Sequence, residues 1–418
     1  MPGHKGVPIL GMEPLDLTEI DGADSLYEAE GIIRRSEENA SALFGCPTFY
    51  STEGSSQCIR AMLYLAQIHA KRQGREAHIL AARNVHKTFL SAAALLDLDV
   101  TWLYSADSYL ACPLDADVLE RAIAQMEQPP TTVYITSPNY LGNCTDIRVL
   151  AEVCHRHGAL LLVDNAHGAY LRFLNPSRHP MDCGADLCCD SAHKTLPCLT
   201  GGAYLHLAEP TLVPLAKRAL ALFGSTSPSY LILQSLDAVN AYLAANYRQK
   251  LAEYTHKVMQ LKQELKHHGY LLRGEEPLKI CICAKPYGYT GVELAQCLAQ
   301  ENIICEFADP DFLVVMLTPE ITELRRLSAA LLAIPRKAAI AQGYPQLHRC
   351  ERVMSIRRAA LAPSQMLPIA QCVGRVCAAP SVGCPPAVPI VVCGERIDKA
   401  AVDCFTYYGI HSCAIVEE

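Results

Sequence analysis

The amino-acid sequence predicts an α/β fold in which helices cover a large, mainly parallel sheet, followed by two smaller parts toward the C-terminus. Short apolar runs alternate with longer amphipathic stretches, which is the pattern of repeated βα units. Residues 159–163 (ALLLV) are apolar at every position, as expected for a strand buried on both faces of a parallel sheet. The chain has 418 residues and 50% hydrophobic composition, so it can bury a core of this size.

Strand-like and helix-like segments follow one another in the first part of the chain. Strand-like runs cover residues 77–82, 131–136, 159–163 and 186–190, and helical patterns cover residues 57–67 and 87–96. Polar residues follow three of these strands, namely His86, the turn-rich segment 137–143, and Asp164. Because the ligand crevice of an open parallel sheet lies beyond the carboxyl ends of its strands, we expect these residues to converge on one site.

The pattern changes twice along the chain and predicts three domains. Residues 1–246 form the major domain, which ends where a long polar helix begins. Residues 247–345 contain that helix and then a small α/β domain with strands at 278–283 and 312–317. Proline and cysteine become denser after this point, so we assign residues 346–418 to a C-terminal subdomain.

The composition excludes several classes of partner. There are 36 Lys and Arg residues against 43 Asp and Glu residues, a formal net charge of −7, and no basic cluster exceeds a pair. Nucleic acid and anionic membranes are therefore not expected partners. The sequence has neither an apolar run of about 18 residues nor a signal-peptide core, which predicts a soluble, cytoplasmic protein.

The 20 cysteines are scattered and contain no C-x-x-C pair. We interpret them as small buried hydrophobic residues in a reducing compartment, rather than as disulfides or metal ligands. The segment Cys154-His155-Arg156-His157 is predicted to end a helix, because Gly158 follows it and basic side chains favour a helix C-terminus. The sequence therefore predicts no metal site.

The segment Ser191-Ala192-His193-Lys194-Thr195 carries the most informative chemistry, and it follows the segment Asp164-Asn165-Ala166-His167. A lysine amine can form a Schiff base with the aldehyde of pyridoxal phosphate, and an aspartate can keep the pyridinium nitrogen of that cofactor protonated. His-Lys occurs four times in the chain, and a lone lysine is usually a solvated surface residue. Only Lys194 follows a strand-like segment downstream of a strand-end aspartate, so the sequence predicts pyridoxal phosphate as the cofactor.

Other parts of the predicted site also have simpler interpretations. Asp164 at a strand end would by default be a helix cap. Gly54, Ser55 and Ser56 precede a helical pattern and offer backbone amides and two hydroxyls to the cofactor phosphate, although the same residues would also make an ordinary N-cap. His86 would more often be an ordinary loop histidine. The position of Lys194 favours the functional interpretation in each case.

An ordered series of motifs runs along nearly the whole chain and resembles the bacterial Orn/Lys/Arg decarboxylase family of the aspartate aminotransferase fold type, called fold type I. The motifs besides those of Asp164 and Lys194 are Pro2-Gly3-His4-Lys5-Gly6, Asp16-Leu17-Thr18-Glu19, Ser51-Thr52-Glu53-Gly54-Ser55-Ser56, Ser225-Thr226-Ser227-Pro228-Ser229-Tyr230, Gly288-Tyr289-Thr290-Gly291, Glu306-Phe307-Ala308-Asp309, Ala362-Pro363-Ser364 and Pro385-Pro386-x-x-Pro389. One such motif would be a weak signal, whereas the ordered series is a strong one.

The resemblance implies a role for each site residue. It implies that Lys194 forms the Schiff base, that Asp164 contacts the pyridine nitrogen, and that His86 stacks on the cofactor ring and is a candidate to return a proton to the substrate. It also implies that further residues shape the site or contact the phosphate, and these are His167, Ser191, His193, Ser225 and Thr226. Because the Ser225 segment of the family reaches the phosphate of the neighbouring subunit, the resemblance implies a homodimer or a higher homo-oligomer.

The implied reaction is the decarboxylation of arginine, lysine or ornithine, a step of polyamine metabolism. The distal cation of such a substrate needs a carboxylate, and Glu395 is a candidate, although a surface glutamate is the simpler interpretation. The sequence starts at the Pro2 motif, so we expect a short form without the extra N-terminal domain of larger members. Glu53, Gly201-Gly202 and Ala387 depart from residues that are frequent in the family.

Two alternatives remain at this stage. An aminotransferase or another amino-acid lyase of fold type I would use the same Lys194 and Asp164, and it would need an arginine clamp for which Arg357 and Arg358 are candidates. An inactive assembly subunit that only binds the cofactor is the other alternative. Retention of His167 and His193 beside Lys194 argues against it.

Overall fold

The computed structural model describes residues 2–104, 112, 114–346, 348–382 and 388–417. The α-helices are α1 (Ile32–Phe44), α2 (Gly54–Arg72), α3 (Lys87–Leu96), α4 (Ala116–Ala124), α5 (Ile147–Arg156), α6 (Ala192–Thr195), α7 (Ala216–Phe223), α8 (Tyr230–Ala245), α9 (Tyr247–His267), α10 (Gly291–Gln300), α11 (Leu324–Ala333), α12 (Ile356–Ala360) and α13 (Lys399–Tyr407). The proline motif up to residue 387, including Ala387, lies outside the described residues.

The β-strands are short and distributed along the whole chain. They are β1 (Thr48–Ser51), β2 (His78–Ala82), β3 (Asp99–Leu103), β4 (Thr132–Thr136), β5 (Leu160–Asp164), β6 (Leu187–Asp190), β7 (Ala203–Leu207), β8 (Leu271–Arg273), β9 (Lys279–Cys283), β10 (Phe307–Ala308), β11 (Phe312–Met316), β12 (Ser364–Pro368), β13 (Ser381–Val382), β14 (Val391–Val392) and β15 (Ser412–Val416).

The chain divides into two compact units. The first unit contains Met1–Leu80, Leu119–Ser137 and Asp146–Lys250, and the second contains Ala81–Val118, Pro138–Thr145 and Leu251–Glu418. One change of unit, between Lys250 and Leu251, lies close to the predicted boundary after residue 246. The separation of residues 247–345 from residues 346–418 into two domains stays a prediction.

The first unit is built on a mixed sheet in which the strand order is β1-β7-β6-β5-β4-β2. Strands β4, β5 and β6 are parallel, with Thr136 opposite Asp164 and Asp164 opposite Cys189. Strands β7 and β1 then continue the sheet in antiparallel orientation. Helix α2 packs on this sheet and buries an apolar face that includes Met62, Leu63 and Leu65. Because the parallel strands end at one edge, this arrangement gathers the residues that follow them.

The second unit contains smaller antiparallel sheets. Strands β10, β11, β9 and β8 form a four-stranded sheet in that order, while β12 pairs with β15 and β13 pairs with β14. Cysteines and aliphatic residues fill its larger core cluster, in which Cys377, Val391, Phe405 and Ile415 are fully buried. Strand β3 lies next to β2, and the backbone N–H of Arg83 donates to the carbonyl of Leu103.

Most predicted elements of the first part of the chain are confirmed. The predicted helix at 87–96 is α3, and the apolar run at 159–163 is β5, which is buried at every position. Helix α5 ends at Arg156 and Gly158 has a φ of 66°, which confirms that the Cys154 segment ends a helix. Strands β1 and β7 were not predicted, because β1 is only four residues long and β7 (AYLHL) places a polar side chain inside an apolar run.

The described cysteines all carry free thiols, and most of them are buried. Among the helices of the described ranges, none combines the length and the apolar character that a bilayer crossing requires.

Candidate active site

Asp164 ends β5 at the carboxyl edge of the sheet, and only 2% of it is exposed. Its carboxylate accepts hydrogen bonds from the hydroxyl of Tyr134 at 3.3 Å and from the backbone N–H of Ala166 at 3.2 Å. The thiol of Cys189 also lies 3.7 Å from Oδ1. Burial, together with the negative charge of Asp164, raises the pKa of Tyr134 and of Cys189 well above the ordinary values, so both groups stay protonated and donate. These donors fix the orientation of the carboxylate.

Lys194 lies in the single-turn helix α6, which begins directly after β6 and Ser191. The Nζ atom of Lys194 is 3.1 Å from the Nε2 atom of His167, which lies on the segment that follows Asp164. The structure therefore brings His167 and Lys194 into contact, at the neighbouring strand ends where Asp164 also lies. An amine and an imidazole at this distance can exchange a proton directly.

A glycine pair joins the lysine turn to the start of α2. The backbone N–H and the Nδ1–H of His193 both donate to the carbonyl of Gly202, at 3.2 and 3.0 Å, and the carbonyl of Gly201 accepts from the N–H of Gly54 at 2.7 Å. Gly201 has a φ of +99°, and a Cβ atom there would lie 2.7 Å from the carbonyl oxygen of Thr52. Glycine is therefore required at this position, which gives the predicted departure at Gly201-Gly202 a structural reason.

The first turn of α2 contains the predicted phosphate-binding residues. Gly54 begins this 19-residue helix with a φ of +70°, and the hydroxyl of Ser191 donates to the hydroxyl oxygen of Ser55 at 2.7 Å. The N-terminus of a helix this long carries a positive partial charge and presents backbone N–H groups, which suit a phosphate. Ser56 lies in the same turn.

Ser225 and Thr226 are exposed in the connection between α7 and α8. The backbone N–H of Ser225 donates to Oε1 of Glu53, the residue that precedes α2, at 2.5 Å. The structure thus holds Ser225 beside the start of α2 in the same unit. The role of Ser225 and Thr226 toward a neighbouring subunit stays a prediction.

His86 belongs to the second unit, where it is the N-cap of α3. Its Nδ1 atom accepts the backbone N–H of Thr88 at 3.3 Å and lies 2.9 Å from the Thr88 hydroxyl. The ring is therefore held in one orientation after β2. Stacking of His86 on the cofactor stays a prediction.

In the turn-rich segment 137–143, Oδ1 of Asn139 accepts the backbone N–H groups of Leu141 and Asn143, both at 3.0 Å.

Glu395 lies in the second unit and is 1% exposed. Both of its carboxylate oxygens accept hydrogen bonds from the guanidinium of Arg83, each at 2.7 Å, and Oε2 also accepts the N–H of Val392 at 3.0 Å. Arg83 in turn stacks on Trp102, with 5.0 Å between its Cζ atom and the ring centroid. Because the carboxylate is buried and already paired with a cation, this geometry argues against Glu395 as the partner of a substrate cation.

Sequence reasoning missed several residues that build the site. Tyr134 lies inside β4 and orients Asp164, while Asp190 lies at the end of β6 and accepts a hydrogen bond from Asn165, the residue after Asp164. The available signal was a polar side chain inside an otherwise apolar strand, such as His206 in β7. A buried polar residue of this kind needs a partner, and a partner on another strand cannot be identified from one sequence.

The residues present fit pyridoxal phosphate. A lysine amine can bind its aldehyde, a buried carboxylate at a strand end can bind its pyridine nitrogen, and the first turn of α2 with Ser55 and Ser191 can bind its phosphate. In addition, a family model described as "Orn/Lys/Arg decarboxylase, major domain" matches residues 12–282, more than half of the chain.

The chain belongs to the Orn/Lys/Arg decarboxylase family. It is a pyridoxal phosphate-dependent amino-acid decarboxylase of fold type I, which confirms the predicted family, fold class, enzyme class and cofactor. Membership favours decarboxylation over the aminotransferase alternative.

Curated relatives match this decarboxylase over most of its length. An arginine decarboxylase of Halalkalibacterium halodurans is 27% identical over 96% of this chain and 88% of its own length. An arginine decarboxylase of Bacillus subtilis is 28% identical over 96% of this chain and 88% of its own length. The uncharacterized protein YaaO of B. subtilis is 28% identical over 93% of this chain and 84% of its own length.

Solved structures of lysine decarboxylases share the fold of this decarboxylase. Lysine decarboxylase A from Pseudomonas aeruginosa has a TM-score of 0.80 at 16% identity, with coverage of 100% of this chain and 78% of its own. The constitutive lysine decarboxylase of E. coli has a TM-score of 0.77 at 17% identity, with coverage of 100% and 79%. At these identities the likeness concerns the fold alone.

Proposed function

We propose that this enzyme decarboxylates arginine to the corresponding amine, with Lys194 as the lysine that binds the cofactor. We choose arginine over lysine and ornithine because two curated relatives that match 96% of the chain are named arginine decarboxylases. The observation that supports the site assignment most directly is the 3.1 Å distance between Nζ of Lys194 and Nε2 of His167, which lies three residues after the buried Asp164.

His167 prepares Lys194 for the reaction. An amine must lose its extra proton before it can bond to an aldehyde, and the imidazole nitrogen of His167 lies within hydrogen-bond distance of Nζ to accept that proton. The same pair would keep that proton available to return to the substrate. His86, as the family resemblance implies, is a second candidate to deliver it.

Asp164 holds the pyridine nitrogen in its protonated form. Pyridoxal phosphate, when bound, accepts the electron pair of the bond that breaks as carbon dioxide leaves. A fixed negative charge at the ring nitrogen favours this electron acceptance. Tyr134 and the N–H of Ala166 keep the carboxylate of Asp164 pointed in one direction, so no reorientation is needed during the reaction.

The first turn of α2 holds the phosphate. Gly54, Ser55 and Ser56 would supply backbone N–H groups at a helix N-terminus. Ser191 is linked to that turn by its hydrogen bond to Ser55, and His193 is linked to it through the pair Gly201-Gly202. With pyridoxal phosphate bound, this turn would hold the phosphate and Asp164 would hold the pyridine nitrogen, so protein groups would contact the cofactor at both places.

We further propose a cytoplasmic homodimer. The described N-terminal segment exposes Val7, Ile9 and Leu10 by 60%, 81% and 85%, which is an apolar surface that a second copy would cover. Size-exclusion chromatography with light scattering on the full chain is expected to give twice the monomer mass. A monomer mass with full activity would contradict the dimer.

Spectroscopy and product analysis test the catalytic proposal. The purified protein with pyridoxal phosphate is expected to develop a visible Schiff-base band and to convert arginine to its amine faster than lysine or ornithine. Lys194→Ala is expected to lose the band and to lower kcat by roughly a thousandfold or more. Lys257→Ala is the matched control, because Lys257 also follows a histidine but is exposed on α9.

Each outcome decides a different part of the proposal. An unchanged band in Lys194→Ala would remove Lys194 from its role. A keto acid in place of an amine would replace decarboxylation with transamination, and preference for lysine or ornithine would overturn the choice of arginine.

A further inference from the structure

Asp190 is a buried carboxylate that the proposed reaction does not use. It ends β6 directly before Ser191, and none of its surface is exposed. Its Oδ2 atom accepts hydrogen bonds from Nε2 of His179 at 3.0 Å and from Nε2 of His206 at 3.1 Å. Its Oδ1 atom accepts the side-chain N–H of Asn165 at 2.7 Å. A carboxylate removed from water to this extent is costly unless donors surround it, and here they do.

Both histidines present a proton to Asp190. Nδ1 of His179 accepts the backbone N–H of Met181 at 3.4 Å, so Nε2 of His179 carries the proton that faces the carboxylate. His206 reaches the same oxygen with Nε2, while its Nδ1 lies 2.9 Å from the hydroxyl of Thr48 on β1. Burial would raise the pKa of Asp190, but the two histidines hold it below its ordinary value, so the carboxylate stays ionised.

The same place could in principle hold a metal ion, because ligand atoms of His179, Cys188 and Asp190 all lie within 4.8 Å of one another. Hydrogen bonds explain the arrangement of these residues better than a metal ion does. The two imidazoles already donate to Asp190, and burial raises the pKa of Cys188 well above its ordinary value, so Cys188 is a neutral thiol rather than a thiolate ligand. The cluster is therefore a hydrogen-bonded network around one buried carboxylate.

Asn165 connects this network to the segment that carries Asp164 and His167. Its backbone N–H donates to the carbonyl of Cys189 at 3.0 Å, and its own carbonyl accepts the N–H of Gly168 at 2.7 Å. A Cβ atom at Gly168 would lie 2.0 Å from Oδ1 of Asn165, so the turn closes tightly around this side chain. Asp190 is thus hydrogen-bonded to one segment of the site and covalently adjacent to the other, which begins at Ser191.

We propose that Asp190, held by His179 and His206, is a positioning residue that sets the distance between the Asp164–His167 segment and the Ser191–Lys194 segment. This inference rests on the proposed function, because the two segments matter together only if Lys194 and Asp164 bind the same cofactor. Loss of the Asp190–Asn165 hydrogen bond releases Asn165 and shifts His167 relative to Nζ of Lys194, although neither of those residues is altered. A displacement of about 1 Å in such a site is enough to lower activity roughly a hundredfold.

The test compares Asp190→Asn with the matched control Asp182→Asn in the full chain. Asp182 is close in sequence to His179 and pairs with Arg172, with Nη1 2.6 Å from each carboxylate oxygen. Hydrogen exchange of backbone amides 164–168 and 191–194 is measured before cofactor is added, and pyridoxal phosphate affinity is then measured from the visible band. We expect Asp190→Asn to accelerate exchange in both segments and to weaken cofactor affinity by about tenfold, with Asp182→Asn within about twofold of wild type.

A second variant keeps the test decisive if Asp190→Asn does not fold. Asn165→Ala leaves the buried charge and its histidines in place and removes only the link, so it is expected to give the same faster exchange and weaker cofactor binding. Wild-type exchange rates and affinity in folded Asn165→Ala would overturn the positioning role. Stoichiometric zinc bound by the wild type and lost in Asp190→Asn would also overturn it, in favour of a metal site.

The exchange measurement separates this inference from the proposed function. If the wild type forms no visible band with pyridoxal phosphate, the proposed function fails. Faster exchange of both segments in Asp190→Asn would in that case still support the mechanical link, and unchanged exchange would overturn it independently.

Discussion

The amine of Lys194 and the imidazole of His167 lie 3.1 Å apart, and they follow the ends of two neighbouring parallel strands. Lys194 follows β6 and His167 follows β5, so neighbouring strands deliver the two groups to one point. Neither group needs a flexible loop to reach the other. Strand pairing, in which Asp164 lies opposite Cys189, brings the two strand ends side by side.

Replacement of His167 is expected to slow the formation of the Schiff base between Lys194 and pyridoxal phosphate more than it weakens the binding of that cofactor. His167→Ala removes the group that accepts a proton from Lys194, so the rate at which the visible band forms after mixing with pyridoxal phosphate should fall roughly a hundredfold. The final band intensity should approach the wild-type value. Stopped-flow absorbance measures both quantities, and an unchanged rate would show that Lys194 loses its proton to another group.

The buried pair of Arg83 and Glu395 is expected to contribute to stability rather than to substrate binding. Glu395→Gln leaves a buried guanidinium without its anion, which should lower the free energy of unfolding by about 3–5 kcal/mol. Urea unfolding measures this change. Asp403→Asn is the control, because Asp403 pairs with Lys399 on the surface of α13, where an ion pair is worth less than about 1 kcal/mol.

The KM of the substrate distinguishes a stabilising role of Glu395 from the role in substrate binding that the sequence suggested. If Glu395 instead binds the distal cation of the substrate, Glu395→Gln would raise KM with little loss of stability. The double variant Arg83→Met/Glu395→Leu is expected to unfold at a higher urea concentration than Glu395→Gln, because it removes both charges together.

The negative charge of Glu53 is expected to weaken the binding of pyridoxal phosphate. Its carboxylate is exposed directly before Gly54, at the helix end that we propose for the phosphate, and like charges at a protein surface oppose each other by about 1 kcal/mol or less. Glu53→Gln keeps an acceptor for the N–H of Ser225 and removes the charge, so pyridoxal phosphate should bind about fivefold more tightly at low salt.

A surface glutamate on the same unit provides the control for this charge effect. Glu38→Gln removes an exposed carboxylate that pairs with Arg34 on α1, and it should leave the cofactor dissociation constant unchanged. Equal affinities of Glu53→Gln and wild type at low ionic strength would mean that the phosphate does not lie near Glu53.

The stability of the enzyme is expected to fall as the pH rises from about 4 to about 6, through Asp309. Burial raises the pKa of Asp309 from 3.8 to about 6, and its neighbours are Asp311, Lys285, Tyr407 and Tyr408. Because the folded state holds this proton more tightly than the unfolded chain does, folding is favoured below pH 3.8 and the advantage is lost as the pH passes about 6.

The variant Asp309→Asn tests this pH dependence. Asparagine keeps an acceptor for the N–H groups of Asp311 and Phe312, which lie 2.7 and 2.6 Å from Oδ1, and it does not ionise. The difference in unfolding free energy between pH 5 and pH 7 should therefore be smaller in Asp309→Asn than in the wild type. The same difference in both proteins would assign the pH dependence to other groups.

Much of the fold and part of the site follow from the sequence. Residues 159–163 could be assigned to a buried strand because they are apolar throughout, and Asp164 and Lys194 could be placed at strand ends because polar residues stop such runs. The Glu395 candidate was chosen for its charge alone. Its pairing with Arg83, far away in the sequence, depends on tertiary contacts that no local pattern encodes.

The Asp190 network illustrates the same limit. Its members come from β1, β6, β7 and the segment after β5, and each looks like an isolated polar residue when read along the chain. Strand register places Cys188 opposite His206, and His206 opposite Thr48, on one face of the sheet. A single sequence gives the side-chain alternation of each strand, but it does not give the register between strands that brings these side chains together.

That register also determines where the length of this chain can change. An insertion or deletion of one residue inside β5 or β6 would exchange the two faces of the strand, so Asp164 or Asp190 would trade places with an aliphatic or thiol neighbour. The turn between α5 and β5 lies at the other end of β5 from Asp164, so residues added there are expected to leave the site in place. Circular permutation or loop grafting in this enzyme is therefore best attempted at the turn before β5, because the connection before β6 carries Asn165, His167 and His179.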